Sequence, residues 1–439
     1  MKFYLAAFIW LGCILFLQYI PDQGDFALIL PCLLGSFASY IWLGSKSSDV
    51  AWTKIVLLAV LARILIIPAF PNLSDDIYRF VWDGYLWTQG IHPFSVLPSE
   101  VVDDNTFLNA ALFDQLNSKE YYSIYPPIAQ LVFYVSTLFG YEDIMTTAVA
   151  MKAIHSVVDI LTLFLMIRLL DQFQLPRKNI AWYALNPLII IELVGNLHHE
   201  GIVIAFMTLT LLALKTNRPI LGGGALAGAI ATKILPILFF PLLFFWINKQ
   251  DRLKFCLAST LATVLLFALL IQDWQITEHL LQSANLYFQK FEFNASIYYL
   301  IRMVGYWFYG YNIIGTLGPV LSISALILIG LIALFAWYKS ISSSTIFIML
   351  IWTYCSYGFL SATLHPWYLA ILVFCSVFTR YKFPVLWSGL IMLTYINYSF
   401  PIYQEQMWLV FIEYSLVIAV MYVEIKKYGW IDSKVQKPF

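Results

Sequence analysis

Apolar runs dominate this chain. Fourteen stretches are nearly free of charge and are separated by short polar breaks: 3–20, 26–44, 54–70, 147–170, 179–195, 201–214, 219–232, 234–247, 255–272, 313–337, 344–361, 366–379, 383–397 and 407–424. Most are about as long as a bilayer-crossing helix requires. Hydrophobic residues make up 61% of the 439, more than the interior of one soluble domain can hold. In lipid every backbone polar group must be satisfied within the protein, which leaves helices or a closed barrel. Runs of this length exclude the barrel. The expectation is one all-α, polytopic integral-membrane domain over 1–439 with about 13–14 spans, surrounded by membrane lipids. The zero formal charge offers nothing to nucleic acid. All five cysteines sit inside apolar runs, as small core residues do.

Lysine and arginine in short loops set the orientation. Lys2, Lys46, Arg177, Lys178, Lys215, Arg218, Lys249, Arg252, Lys339, Arg380, Lys382, Lys426 and Lys427 mark inside segments. With 71–123 outside and 171–178 inside, only one crossing fits between them. We assign it to 147–170 and lay 126–140, which starts Tyr125-Pro126-Pro127, along the outer surface. The outer face then carries 71–146, a catalytic loop with interfacial helices, and a second large loop, 273–312.

The motifs with chemical potential fall on that same face. Asn72-Leu-Ser-Asp-Asp-Ile-Tyr-Arg-Phe-Val-Trp-Asp-Gly84 holds Asp75, Asp76 and Asp83 with Arg79, a dense charge cluster beside a membrane span. On a helix Asp75 or Asp76 shares a face with Arg79, and Asp83 follows one turn on. One reading is a surface ion pair with Ser74 or Asp75 as helix cap. The other is a carboxylate that takes a proton from a substrate hydroxyl, with Arg79 orienting it or binding an anion. His198-His199-Glu200 follows Gly195-Asn196 at an outer span end, as a polar substrate contact or an interfacial cap; its adjacent spacing matches no common zinc motif. Lys233, between two short apolar runs, is a snorkelling side chain or a phosphate contact, and Arg302 and Lys290 are further outer-face cations. His365, before Pro366, is a cap or a substrate contact. His92, Tyr125 and Trp82 are candidate cavity-wall residues.

The segment Asp-Asp-Ile-Tyr-Arg-Phe-Val-Trp-Asp-Gly, followed by Gly90-Ile91-His92-Pro93-Phe94, resembles the first outer loop of GT-C glycosyltransferases. The resemblance is nearest to polyprenyl-phosphate-mannose-dependent mannosyltransferases of bacteria and the related GPI mannosyltransferases. Tyr125-Pro126-Pro127, Leu185-Asn186-Pro187, the His-His-Glu turn and Thr232-Lys233 extend it over roughly 71–245. It implies an inverting membrane transferase with Asp75 or Asp76 at the catalytic centre. Its donor would be a sugar, mannose by preference, on a polyprenyl phosphate, and its acceptor a glycan or glycolipid hydroxyl. Arg79, Lys233 and Arg302 would meet the lipid phosphate; Asp83, His92, Tyr125, His198, His199, Glu200 and His365 would line the substrates. No cofactor is expected and a divalent metal is not favoured. The setting would be a bacterial inner membrane with the site on the periplasmic face. Two spans precede the one that carries the acidic loop, whereas such families commonly place the loop after their first helix, which leaves the role of residues 1–45 open. The rival classes are a lipid flippase or transporter and a non-catalytic subunit of a glycosylation complex. Against a transporter stand the gathering of charge at one face and the lack of an inverted repeat.

Overall fold

The computed structural model describes residues 2–46, 51–103 and 106–431. Among them the fold is all-helical, and the one β-type pairing is an isolated bridge between Phe293 and Thr363. Six helices are long and apolar enough to cross a bilayer: Lys2–Tyr19, Phe26–Ser45, Ile144–Gln172, Lys249–Leu270, Ile314–Tyr338 and Met407–Tyr428. A seventh crossing arises if Ile189–Gly195 and Glu200–Lys215, bent by 106° at their junction, count as one broken span. The chain is thus a polytopic helical membrane protein.

Full-length spans are fewer than the 13–14 expected, and proline explains much of the shortfall. The helix begun at Trp52 ends at Leu65, before Pro68 and Pro71. Pro187 divides 179–195 into a four-residue helix, Ala181–Ala184, and a π-helical turn, Ile189–Gly195. Pro366 and Pro384 open short pieces where two spans were expected. The expected outer-surface helix exists as Pro127–Gly140, and the long crossing after it as Ile144–Gln172. The second outer loop is itself mostly helix, Trp274–Lys290 and Ile297–Tyr309.

The first two helices belong to the core. Trp10, Ile14, Leu17 and Gln18 are buried, and Trp10 Nε1 donates to the Leu185 carbonyl over 2.9 Å. A side chain on Gly195 would run into Gln18, so glycine there lets the first helix close on the π-turn. Asn186 joins three distant parts of the chain. Its Nδ2 donates to Ser388 Oγ (2.9 Å) and to Tyr40 Oη (3.3 Å), while its Oδ1 accepts from the Leu188 amide.

The acidic loop is held rigidly. Helix Asp76–Thr88 crosses Pro127–Gly140 at Gly84, where any Cβ would lie 2.7 Å from the Phe133 carbonyl oxygen. Phe80 stacks on Phe133 with centroids 4.7 Å apart. The residue before Phe80, buried Arg79, donates from Nε to buried Asp83 (2.8 Å) and from Nη1 to the Ser118 and Tyr121 carbonyls. These bonds draw the 115–123 segment over the N-terminal end of the helix.

Candidate active site

The N-terminus of Asp76–Thr88 supplies the central carboxylates. Ser74 Oγ accepts from the Asp76 amide at 3.4 Å, and Asp75 occupies the cap position without capping through its side chain. Both acids are therefore free for other partners. Asn117, brought over by the Arg79 clamp, donates from Nδ2 to Asp76 (2.8 Å) and to Asp75 (3.1 Å). Asp75 is exposed, whereas Asp76 is half-buried with a side chain 21% accessible. Burial and the adjacent charge of Asp75 raise the Asp76 carboxyl to about 6, against the pull of Asn117 and Lys233.

His198 comes to Asp76 from the bend in the broken span. The π-helical turn and a left-handed Leu197 (φ +67°) aim it there, with Nδ1 3.8 Å from Asp76 Oδ2. Its other nitrogen lies 3.3 Å from buried Glu192. The ring stacks on Trp367, centroids 3.4 Å apart, and Trp367 stacks in turn on His365 at 4.5 Å. Surrounding protein, then Lys233 and His198, push the His365 imidazole down to about 3. On the next turn Glu200 pairs with Lys233, whose ammonium also lies 4.7 Å from the centre of the Tyr368 ring. Beside that pair lies a narrow pocket, about 20 Å³, lined largely by apolar side chains, Leu235, Phe239, Tyr354 and Tyr368 among them. A larger hollow, about 250 Å³, opens among Lys215, Asn217, Trp246 and Asn248. It lies at the opposite end of the Glu200–Lys215 helix, about 22 Å from this chemistry at 1.5 Å per residue.

Asp75, Asp76, His198, Glu200, Lys233 and His365 are thus brought together. Several other expected residues are not. Arg79 is no phosphate ligand: it is 3% exposed and its guanidinium is occupied by Asp83, Ser118 and Tyr121. Asp83 is fully buried and also accepts from Ser123 and Gln130, so it lines no substrate cavity. His92 is a structural clamp, accepting from the Phe94 amide at Nδ1 and facing the Leu270 carbonyl at Nε2 (2.8 Å). His199 turns away from His198, as neighbours in a tight turn do, and is buried against Phe80, Phe133 and His155. Tyr125 packs edge-on to Phe80 and Phe133 in that same cluster, and Trp82 is fully buried in the adjoining one. Arg302 pairs with Glu292 and lies over Tyr299 in a separate polar cluster. The side chain of Lys290 lies outside the described residues.

Three participants had no sequence signal of their own: Asn117 in a polar loop, Glu192 within an apolar run, and Tyr395, whose hydroxyl donates to Glu192 over 2.8 Å. Among the described residues, no group of three or more His, Cys, Asp or Glu side chains is arranged to hold a metal ion.

A family model described as alpha-(1->6)-mannopyranosyltransferase, N-terminal domain, matches residues 22–249, just over half the chain. That range begins within the Asp22–Asp25 loop and ends past Lys233, so it contains all of the converging residues except His365. Among curated proteins, alpha-(1->6)-mannopyranosyltransferase A of Corynebacterium glutamicum is 21% identical over 207 residues. The match covers 47% of this chain and 41% of that protein's length.

Proposed function

This chain belongs to the alpha-(1->6)-mannopyranosyltransferase family, and on that footing we propose that it is a membrane mannosyltransferase using a polyprenyl-phosphate sugar as donor. The observation that carries the reading is the convergence on Asp76. This half-buried carboxylate, raised to about 6, has an amide donor, a histidine and a lysine–glutamate pair around it and apolar side chains next to them.

The acceptor hydroxyl approaches Asp76, which takes its proton as the oxygen attacks the anomeric carbon. A base whose pKa lies near ambient pH is suited to this. Asn117 holds the carboxylate in place. The sugar–phosphate bond breaks on the opposite side in a single displacement, which inverts the anomeric carbon. The departing phosphate gains negative charge, and Lys233 meets it; such stabilisation in a water-poor site is worth a few kcal/mol per contact, roughly 3–4 for one donor. Until a donor arrives, Glu200 keeps Lys233 in position. The isoprenoid chain runs along the apolar side chains Leu235, Phe239 and Tyr354, which line the narrow pocket that Lys233 and Glu200 also border. The acceptor is a glycan or glycolipid. The site faces the periplasm of a bacterial inner membrane, where a lipid carrier presents its phosphate at headgroup depth.

The test is transfer by the purified protein in lipid nanodiscs, supplied with mannosyl and glucosyl polyprenyl phosphates and with nucleotide sugars. Release of polyprenyl phosphate from the mannosyl donor, lost in Asp76→Asn, is the expected result. Turnover of a nucleotide sugar with no lipid-linked donor accepted would overturn the reading.

A further inference from the structure

Behind His198 stands a carboxylate that the proposed chemistry does not use. Glu192 is fully buried in the π-helical turn. It accepts from Asn196 Nδ2 (3.1 Å) and Tyr395 Oη (2.8 Å), and its Oε2 lies 3.3 Å from His198 Nε2. That histidine nitrogen is buried and has no hydrogen-bonded partner. Its ring partner Nδ1 faces Asp76 at 3.8 Å. The order is therefore Asp76, His198, Glu192, with Asn196 and Tyr395 fixing the last member.

Each of its oxygens accepts from one neutral donor, and neither donor brings a positive charge. Burying a carboxylate costs several kcal/mol unless a positive partner compensates it, roughly the effective penalty for a desolvated ion. A carboxylate is worth that cost if its neighbour becomes positive during turnover. The π-helical turn is an irregularity of the kind that collects at functional sites. Here it places Glu192 and His198 on one side, and the His198 amide donates to the Glu192 carbonyl at 3.0 Å.

We propose, resting on the assignment of Asp76 as the base, that His198 and Glu192 form a positioning relay that accepts the proton Asp76 removes from the acceptor. His198 carries its resting proton on Nε2, toward Glu192, and offers the Nδ1 lone pair to Asp76. The acceptor O–H proton passes to the Asp76 carboxylate as the new C–O bond forms and the C–O bond to phosphate breaks, its electron pair leaving with the phosphate. Asp76 then hands the proton transiently to Nδ1, an uphill step because burial holds the His198 imidazole down to about 3. The resulting imidazolium lies between two carboxylates with its face on Trp367. The other ionisable groups that act on it are Glu200, Lys233, His155, His199 and His365. The arrangement follows the logic of a nucleophile–base–orienter triad, with a carboxylate in the first position.

The experiment compares Asp76→Asn, His198→Gln, Glu192→Gln and Glu192→Asp in nanodiscs with the mannosyl polyprenyl donor. Glu192→Gln and His198→Gln should lower kcat about tenfold to a hundredfold, below the full effect of a general base, with donor KM unchanged. Both should alter the acid limb of the pH–rate profile, and Glu192→Asp should restore part of the rate. Independently of turnover, ¹⁵N-histidine solid-state NMR, with the His198 signal identified from His198→Gln, should show the Nε2–H tautomer in the wild type and its loss in Glu192→Gln. A wild-type Nδ1–H tautomer would overturn the relay even if Glu192→Gln proved too unstable to assay. So would Glu192→Gln and His198→Gln variants with wild-type kcat and pH profile beside an inactive Asp76→Asn. An active Asp76→Asn would instead remove the base assignment, and the tautomer would still decide the histidine–glutamate pair.

Discussion

Replacing Arg79 with methionine separates a structural role from a substrate role. Arg79 is 3% exposed and Asp83 fully buried, and their ion pair spans 2.8 Å. Methionine keeps most of the side-chain volume but leaves Asp83 with Ser123 and Gln130 as its remaining donors. Removing one partner of a buried pair costs about 3–5 kcal/mol, because the other charge stays desolvated. The two carbonyls of Ser118 and Tyr121 also lose their donor, each an unpaired buried acceptor worth about 1–3 kcal/mol unless water reaches it. Water can enter from the exposed side of that loop, so the total should stay near the lower figure. The assay is unfolding in detergent, followed by hydrogen exchange over 109–123. Arg79→Met should lower the unfolding midpoint and expose that segment, and Arg79→Met/Asp83→Asn should be less unstable than the two single changes summed. Transfer should fall through loss of the Asn117 contact, as a lower kcat. A variant with wild-type stability and exchange but a raised donor KM would refute the argument and return Arg79 to the lipid phosphate.

Three further outcomes follow from the same geometry. Asp76→Asn should reduce transfer by about two orders of magnitude or more and Asp75→Asn by much less; because folding raises the Asp76 pKa, its ionised form destabilises the native state, so Asp76→Asn should also raise the unfolding midpoint above about pH 6 and not near pH 4. The acid limb of kcat/KM should lie near pH 6 with rate rising as Asp76 ionises, and Lys233→Met, which removes a charge that lowers that pKa, should move the limb upward while raising donor KM, as titration of the rate with pH will read. In a cysteine-free background, Thr106→Cys should react with an impermeant thiol reagent added outside and Gln172→Cys should not; labelling of both from one side would break the orientation assigned to the Ile144–Gln172 helix.

The acidic segment was legible because charge in an apolar chain needs a reason. Asp75 and Asp76, the His-His-Glu turn and Lys233 stood out against their surroundings. Which of them meet was not legible. Spacing allowed Arg79 to pair with Asp75, Asp76 or Asp83, all within reach on one helix, and packing chose the buried one. His198 and His199 are equivalent in sequence, and only a bend in the span sends one to Asp76 and the other into an aromatic cluster. Glu192 reads locally as one acid in an apolar run; its meaning comes from Tyr395, two hundred residues away in sequence.

The sequence by itself determined the solvent this chain folds in and therefore its class: long apolar runs demand helices in lipid, and lysine and arginine orient them. It also determined which segments carry chemistry, since isolated charge is costly there. The tertiary structure decided where spans break, through prolines whose effect depends on neighbouring helices. It decided that the first two helices belong to the core, and which carboxylate stays half-open while Asp83 is sealed. Those outcomes depend on contacts between residues far apart in the chain, and burial and electrostatics are properties of the packed whole.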